Sequence, residues 1–529
     1  MKALMKYSLI ITALAFIMLT GCEKDFDKIN TNPNESLDAA TPALLSQAIR
    51  DFGFNDFDVW YIGRQSGLAA QHISQRNYTS EDRYSFRVNV TDGFFRNNYI
   101  WMTNLQKIVD LNTDPATKEY YGALYGDNQM QIAVAEIMKC WVFQLLTDYF
   151  GDIPYSEALN VLKFPQPKYD SQKDVYDGLI ATLNNAQTAL ENSTTAGFET
   201  GDLFFKGDLS QWIKFANSLR LKVALRASNA DPDYLTEALD AITDGVMESN
   251  DDNAMCAFST SGAPNEAPWY NGLYVGGRND FTFTYRFIEL LRGNDHLSFV
   301  NPFNGIVDPR YKVFTTYDPA TSTARFGVPY GMTDNQTQQW WGVTARRFNI
   351  YNSNPVFVRP DFPSTFLDYS TVCFMASEVN NWDATWFENG VVSSLEKWEA
   401  DPIQSAAYVT AIMTKFNDAG TTDEMKKEMV ITQKYIHLLT QSQEAWFEYR
   451  RTGYPKSLVK PGDVTVNIGG DDVFFTPVSG SESGSDVVAR FKYPSSEFTL
   501  NKENVDAAVA RMGEDTHKQK VWWAGGGTQ

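Results

Sequence analysis

Six apolar residues, Met130, Val134, Ile137, Trp141, Leu145 and Tyr149, recur at i, i+4, i+7, i+11, i+15 and i+19. That spacing keeps them on one face of a single long helix, and such a face has to be buried against other helices. Gly151-Asp152-Ile153-Pro154 then stops the helix. A second stripe follows in Tyr176, Leu179, Leu183, Ala186 and Leu190, behind Ser171 and Asp174 at capping-box spacing. Leu209, Trp212, Ala216, Leu219 and Val223 make a third. Met425, Met429, Thr432, Ile436 and Leu439 make a fourth, with Thr421 and Glu424 as its capping pair. The pattern predicts an all-α fold of antiparallel helix pairs stacked in the tetratricopeptide manner, although no clean 34-residue consensus recurs.

Between about Cys256 and Pro363 the helical period fails, apart from a short stripe near Phe283–Leu291. This region is rich in Gly, Pro, Asn and Asp, yet it holds 21 aromatic residues, a density above the 14% of the whole chain. Disordered linkers are poor in aromatics, so an ordered, loop-rich insertion is expected over 256–363. Further on, Val464, Val466 and Ile468 alternate, Gly469-Gly470-Asp471-Asp472 turns, and Val473-Phe474-Phe475 returns, which predicts a small β-hairpin.

The N-terminal end carries a different message. Lys2 and Lys6 precede the apolar run Ser8–Leu19, which ends in Leu19-Thr20-Gly21-Cys22. This is the layout of a secretory signal, too short for a bilayer span of about 20 residues. The tetrapeptide resembles the bacterial lipobox, so residues 1–21 are expected to be removed and Cys22 to carry a lipid. Residues 22–36 would then be anchor and tether, followed by a single domain over 37–529. Loss of Lys2 and Lys6 takes the net charge from −20 to −22. That sign repels phosphate backbones and anionic lipid surfaces, so nucleic acid is not an expected partner. No later segment reads as a membrane span, which leaves the lipid as the anchor. The acid-rich Glu23-Lys24-Asp25-Phe26-Asp27 resembles the export signal of Bacteroidetes surface lipoproteins.

The catalytic and metal motifs are absent. No HExxH, G-x-S-x-G, phosphate-cradling Gly-Lys loop or dinucleotide fingerprint occurs, and Glu482 stands at the nucleophile position of Gly480–Gly484. Cys140, Cys256 and Cys373 form no CxxC pair, and the four histidines are scattered, so no metal or cofactor site is expected. The positive signal is aromatic. Trp269-Tyr270, Tyr274 and Trp340-Trp341 lie in polar stretches off any periodic face, with Asn271, Arg278, Asn279, Arg346 and Arg347 nearby. Flat rings beside amides and guanidinium groups suit stacking on sugar C–H faces and hydrogen bonding to hydroxyls. The same rings suit packing of the insertion onto the helices.

Several stretches in order resemble the SusD/RagB family of nutrient-binding outer-membrane lipoproteins. These are Phe26–Asn34, Tyr149-Phe150-Gly151-Asp152-Ile153-Pro154-Tyr155, Tyr169-Asp170-Ser171-Gln172 and Trp212-Ile213-Lys214-Phe215-Ala216-Asn217-Ser218-Leu219-Arg220-Leu221. Asp308-Pro309-Arg310, Glu444-Ala445-Trp446 with Arg450–Pro455, and Arg490–Pro494 with Trp522-Trp523 continue the series. One departure is the compressed Asn380–Trp386 stretch, with Trp382 and Trp386 where family members run an Ala-rich helix, which puts one helix in question. The resemblance implies tetratricopeptide-like helix pairs in a right-handed superhelix, and no enzymatic activity. It implies an oligosaccharide-binding lid, lipid-anchored on the outer face of the outer membrane, that delivers its ligand to a SusC-type TonB-dependent β-barrel. Peptide capture in the same system, or a helical glycan hydrolase or lyase, are the alternatives. The family's aromatic arc between insertion and early helices points to Trp269, Tyr270, Trp340 and Trp341 with Tyr84 and Phe95 as ligand-binding residues.

Overall fold

A computed structural model describes residues 39–297, 299–316, 327–342 and 350–526. The signal segment, Cys22, the tether, Arg346 and Arg347 lie outside the described residues. Before the insertion run α1 (Thr41–Asn55), α2 (Val88–Thr113), α3 (Asn128–Phe150), α4 (Gln172–Glu191), α5 (Leu209–Ala227) and α6 (Asp233–Thr243). After it come α7 (Tyr369–Val379), α8 (Ala384–Lys397), α9 (Pro402–Phe416), α10 (Asp423–His437) and α11 (Ser442–Thr452), with α12 (Lys502–Met512) near the C-terminus. Each helix from α1 to α6 packs on the next, as do α7, α8 and α9, while α5 against α7 joins the two series across the insertion. The fold is all-α, as the stripes require.

The stripe of Met130 to Tyr149 lies on α3, where all six residues are buried. Asp127 starts the helix by accepting from the Gln129 and Met130 amides, and Gly151 ends it at φ 89°. Among the described residues α3 alone is long and apolar enough to cross a membrane, contrary to the sequence reading, but 83% of its apolar window is buried in the protein. Each large side chain so buried contributes about 1.5–3 kcal/mol, so α3 is a core helix. Ser171 caps α4 by accepting from the Asp174 amide, while the Asp174 carboxylate accepts from the Ser171 hydroxyl at 2.7 Å instead of closing the box. At α10 the cap is Thr422, one residue later than expected, and Thr421 donates to the Lys415 carbonyl instead. The questioned helix exists as α8. Asn381 and Trp382 make the tight turn before it in left-handed conformations (φ 57° and 64°), and Asp383 caps it.

The strands form two-stranded antiparallel pairs: β1 (Ile73–Gln75) with β5 (Phe281–Phe283), β2 (Ile153–Pro154) with β3 (Tyr169–Asp170), β4 (Ala254–Cys256) with β6 (Ser364–Leu367), and β7 (Val464–Ile468) with β8 (Asp471–Phe474). The last is the expected hairpin. β4 and β6 pair Cys256 with Ser364, so the two ends of the aromatic-rich segment meet. β1 and β5 pair Ile73 with Phe283, which stitches that segment to the stretch between α1 and α2.

Charge is also buried between the helices. Arg226 on α5, fully enclosed, reaches Asp148 of α3 at 2.6 Å and Glu444 and Glu448 of α11 at 2.7 and 3.0 Å. Lys222 adds a 3.0 Å contact to Glu444, and Arg451 ties Glu448 to Glu378. Four helices, α3, α5, α7 and α11, are held in one register by these pairs.

Candidate functional site

Two short π-helical turns flank the junction of β1 with β5. One is Ile62–Ser66, just after α1, and the other is Asn271–Val275 in the insertion. Such turns are rare and recur at functional sites. Each turn packs closely on the other segment through a glycine. A Cβ on Gly272 would come within 2.5 Å of the Val59 side chain, and one on Gly63 within 2.8 Å of the Phe281 ring.

Arg64 lies at the centre of this junction. It is 1% exposed and donates through Nη1 to both Glu81 oxygens at 2.8 and 2.7 Å, while its Nη2 pairs with Asp280. Its guanidinium lies 5.0 Å from the Trp60 ring centre and 4.9 Å from that of Tyr78. Both rings remain partly open, and Tyr78 is 43% exposed. Arg278, from the insertion, sits 4.4 Å from the Trp60 ring, and its guanidinium makes no hydrogen bond or ion pair among the described residues. Half-buried Tyr270 and Tyr274 pack ring to ring at 5.2 Å, and the Tyr274 hydroxyl donates to Asn354 at 3.2 Å. Trp60 and Tyr78 of the early segment thus flank Arg64, Arg278 crosses onto Trp60 from the insertion, and the Tyr270–Tyr274 pair lies on the insertion turn whose Gly272 meets Val59.

Five of the six expected ligand residues lie elsewhere, inside the core. Trp269 packs edge-on against Phe281 and Phe357 at 5.9 and 5.6 Å. Trp340 packs on Tyr285 at 4.9 Å and donates from Nε1 to the Gly327 carbonyl at 3.2 Å, and Trp341 beside it is buried. Tyr84, in a left-handed turn at φ 68°, meets Phe475 at 5.1 Å, and Phe95 lies between Tyr99 and Phe150. Their exposures run from 1 to 6%, which leaves no ring face for a ligand. Tyr270 alone keeps one. Trp60 and Tyr78 were missed because their segment carries no periodicity. The signal available was Trp60-Tyr61 between Asp58 and Arg64, and Tyr78 among Arg76, Asn77 and Ser80.

Titratable groups here serve the scaffold. His72 is held by Ser442 and the Tyr435 carbonyl at 2.9 Å each, and burial pulls its pKa down to about 3. Among the described residues no three His, Cys, Asp or Glu side chains gather as a metal site. Asp58 supports the platform by accepting from the Trp60 and Tyr61 amides at 2.7 and 2.8 Å, and burial raises its pKa to about 7. The folded chain therefore keeps a proton that the unfolded chain releases from about pH 4 upward. Stability from this group is present below that pH and is lost as pH rises towards 7. Asp58→Asn, which retains the accepting oxygen, is expected to flatten this loss. Its unfolding free energy should gain on the parent's between pH 5 and 8, by an amount on the order of 1 kcal/mol given the side chain's partial contact with water, and its melting temperature should rise accordingly. Parallel melting curves against pH would contradict it.

The chain is thus an all-α scaffold with a loop-rich insertion stitched to its early helices, and with aromatic rings and a guanidinium at the seam. A SusD-like family model, described as starch-binding and associating with the outer membrane, matches residues 33–471, and the chain belongs to this family. A solved structure described as a chitin-binding protein is 28% identical, with a TM-score of 0.70 over 92% of this chain and 99% of its own. A chitin-binding SusD homologue from Flavobacterium johnsoniae shows 22% identity and a TM-score of 0.70, covering 91% of this chain and 98% of its own. A SusD homologue from Bacteroides uniformis shows 23% identity and a TM-score of 0.69, covering 92% and 99%. No curated protein matches the chain.

Proposed function

We infer that this protein captures oligosaccharides at the outer face of the outer membrane, held there by a lipid on Cys22. It passes them to a SusC-type TonB-dependent β-barrel for import. The observation that carries the reading is the Trp60–Arg278 pair with Tyr78, Tyr270 and Tyr274: open rings for sugar faces, and a guanidinium with uncommitted donors for hydroxyls. Binding without cleavage is supported by the acids under this surface. Glu81 and Asp280 are committed to Arg64, and Asp82 to Ser74 and the Gln75 amide. A glycosidase needs two carboxyls facing the bond it breaks. Chitin oligosaccharides are the first ligands to try, because the 28% identical relative is described as chitin-binding.

The test is calorimetric titration of residues 22–529 with chitin, starch and xylan oligosaccharides and with a peptide panel. Saturable binding of one glycan with no shortened products is expected. Binding of peptides and of no glycan would overturn the sugar reading, and appearance of cleaved sugar would overturn the non-enzymatic one.

A further inference from the structure

A cleft of about 660 Å³ lies between residues 292–312 of the insertion and the first turns of α9, and it shares no lining residue with the Trp60 surface. Its size is that of a small-molecule site. α9 lines it with Gln404, Ala407 and Ala411, spaced i, i+3 and i+7 on one face, and the two alanines leave the room. The floor is stiff. Asp308 accepts from Arg310 Nε at 3.0 Å and Nη2 at 2.6 Å, the Tyr408 hydroxyl donates to Asp308 at 3.0 Å, and Gln433 donates to Tyr408 at 2.6 Å. This is the Asp308-Pro309-Arg310 motif of the sequence, and it neutralises the one carboxylate that lines the cleft.

The charge left over is positive. Lys312 is exposed and its ammonium has no partner among the described residues, while Arg292 pairs with Glu289 at 3.4 Å, a carboxylate that also accepts from the Asn294 amide at 2.6 Å. With Asp308 paired to Arg310 and Glu289 to Arg292, the Lys312 ammonium is the charge left over, so in a chain of net charge −20 this cleft favours an anion. Asn294 and Gln404 add amides able to bond hydroxyls, and Ile306, Val307 and Pro309 add a short aliphatic wall. An extended peptide would need a free strand edge. Here the loop amides are already used, Gly305 bonding Gly293, Ile306 bonding Phe303 and Asp308 bonding Leu291 at 2.8, 2.9 and 2.8 Å.

We propose that this cleft is a second ligand site, taking a sugar acid at the end of a short acidic saccharide. Lys312 and Arg292 hold the carboxylate, Asn294 and Gln404 the hydroxyls, and the aliphatic wall the ring C–H groups. The site stands independently of what binds at Trp60.

Digalacturonic acid, its dimethyl ester and a Glu-Glu dipeptide are titrated calorimetrically at low salt into residues 22–529. The parent is expected to bind the acid at least tenfold more tightly than the ester or the dipeptide. Arg292→Gln with Lys312→Gln should weaken it at least tenfold, and Ala407→Phe, which fills the cleft without touching its charge, should do the same. No binding of the acid, equal binding of the dipeptide, or binding that survives both variants overturns the proposal. So does a tenfold loss caused instead by Trp60→Ala, which would move the acid to the other surface. Absence of neutral-glycan binding leaves each of these readouts intact.

Discussion

Arg226→Met is expected to destabilise the protein by about 3–5 kcal/mol, a large share of the roughly 5–15 kcal/mol by which a folded domain is held. The methionine fills much of the arginine's volume, so the cost does not come from a cavity. It comes from Asp148, Glu444 and Glu448, which lose the one cation that touches all three. Asp148 is fully buried, and burial already pushes its pKa up against the pull of Arg226. Arg226→Lys should recover only part of the loss, because a point charge cannot span three carboxylates as a planar fork does. Acid sensitivity gives a second readout. In the parent, Lys222 and Arg226 overcome burial and hold Glu444 down at about 2. The stability this provides is full above the unfolded value near 4.5 and is lost as pH falls towards 2. Urea unfolding against pH should show a shallower acid limb in Arg226→Met. Unfolding midpoints equal to the parent's would mean that the ion cluster is not what registers α3, α5 and α11.

The helices were legible because amphipathic periodicity is a local property. A residue on the α3 stripe is buried whatever its partner is, so spacing alone locates it. Capping could be misplaced by one residue, as at Thr422, since Thr421 and Thr422 offer the same hydroxyl and only the backbone decides between them. The insertion was legible as ordered but not in detail. Trp269, Trp340 and Trp341 stand among polar neighbours in sequence, which reads as exposure. Trp269 is buried against Phe357 and Trp340 against Tyr285, contacts across separations that no local pattern records. The candidate surface was hidden for the same reason: Trp60 and Arg278 are 218 positions apart and meet where Gly63 lies against Phe281 and Gly272 against Val59.

Trp60→Ala is expected to reduce glycan affinity by about 2 kcal/mol, roughly 30-fold, the scale of an aromatic hot spot. The fold should be little affected, since the ring is only half buried. Arg278→Ala alone should cost about 1 kcal/mol, for lost hydrogen bonds. The double variant should lose less than the sum, because Arg278 is positioned by stacking on Trp60 and has nothing to rest on once the ring is gone. Trp269→Ala makes the opposite pattern. That ring is locked between Phe281 and Phe357, so its removal should cost about 3–5 kcal/mol of stability. The protein that still folds should bind glycan within a few-fold of the parent. Thermal melts and calorimetric titration on the same four proteins separate the two roles. If Trp60→Ala binds like the parent while Trp269→Ala does not, the insertion must open to expose its core tryptophan, and the ligand lies beneath the surface formed by Trp60 and Arg278 instead of on it.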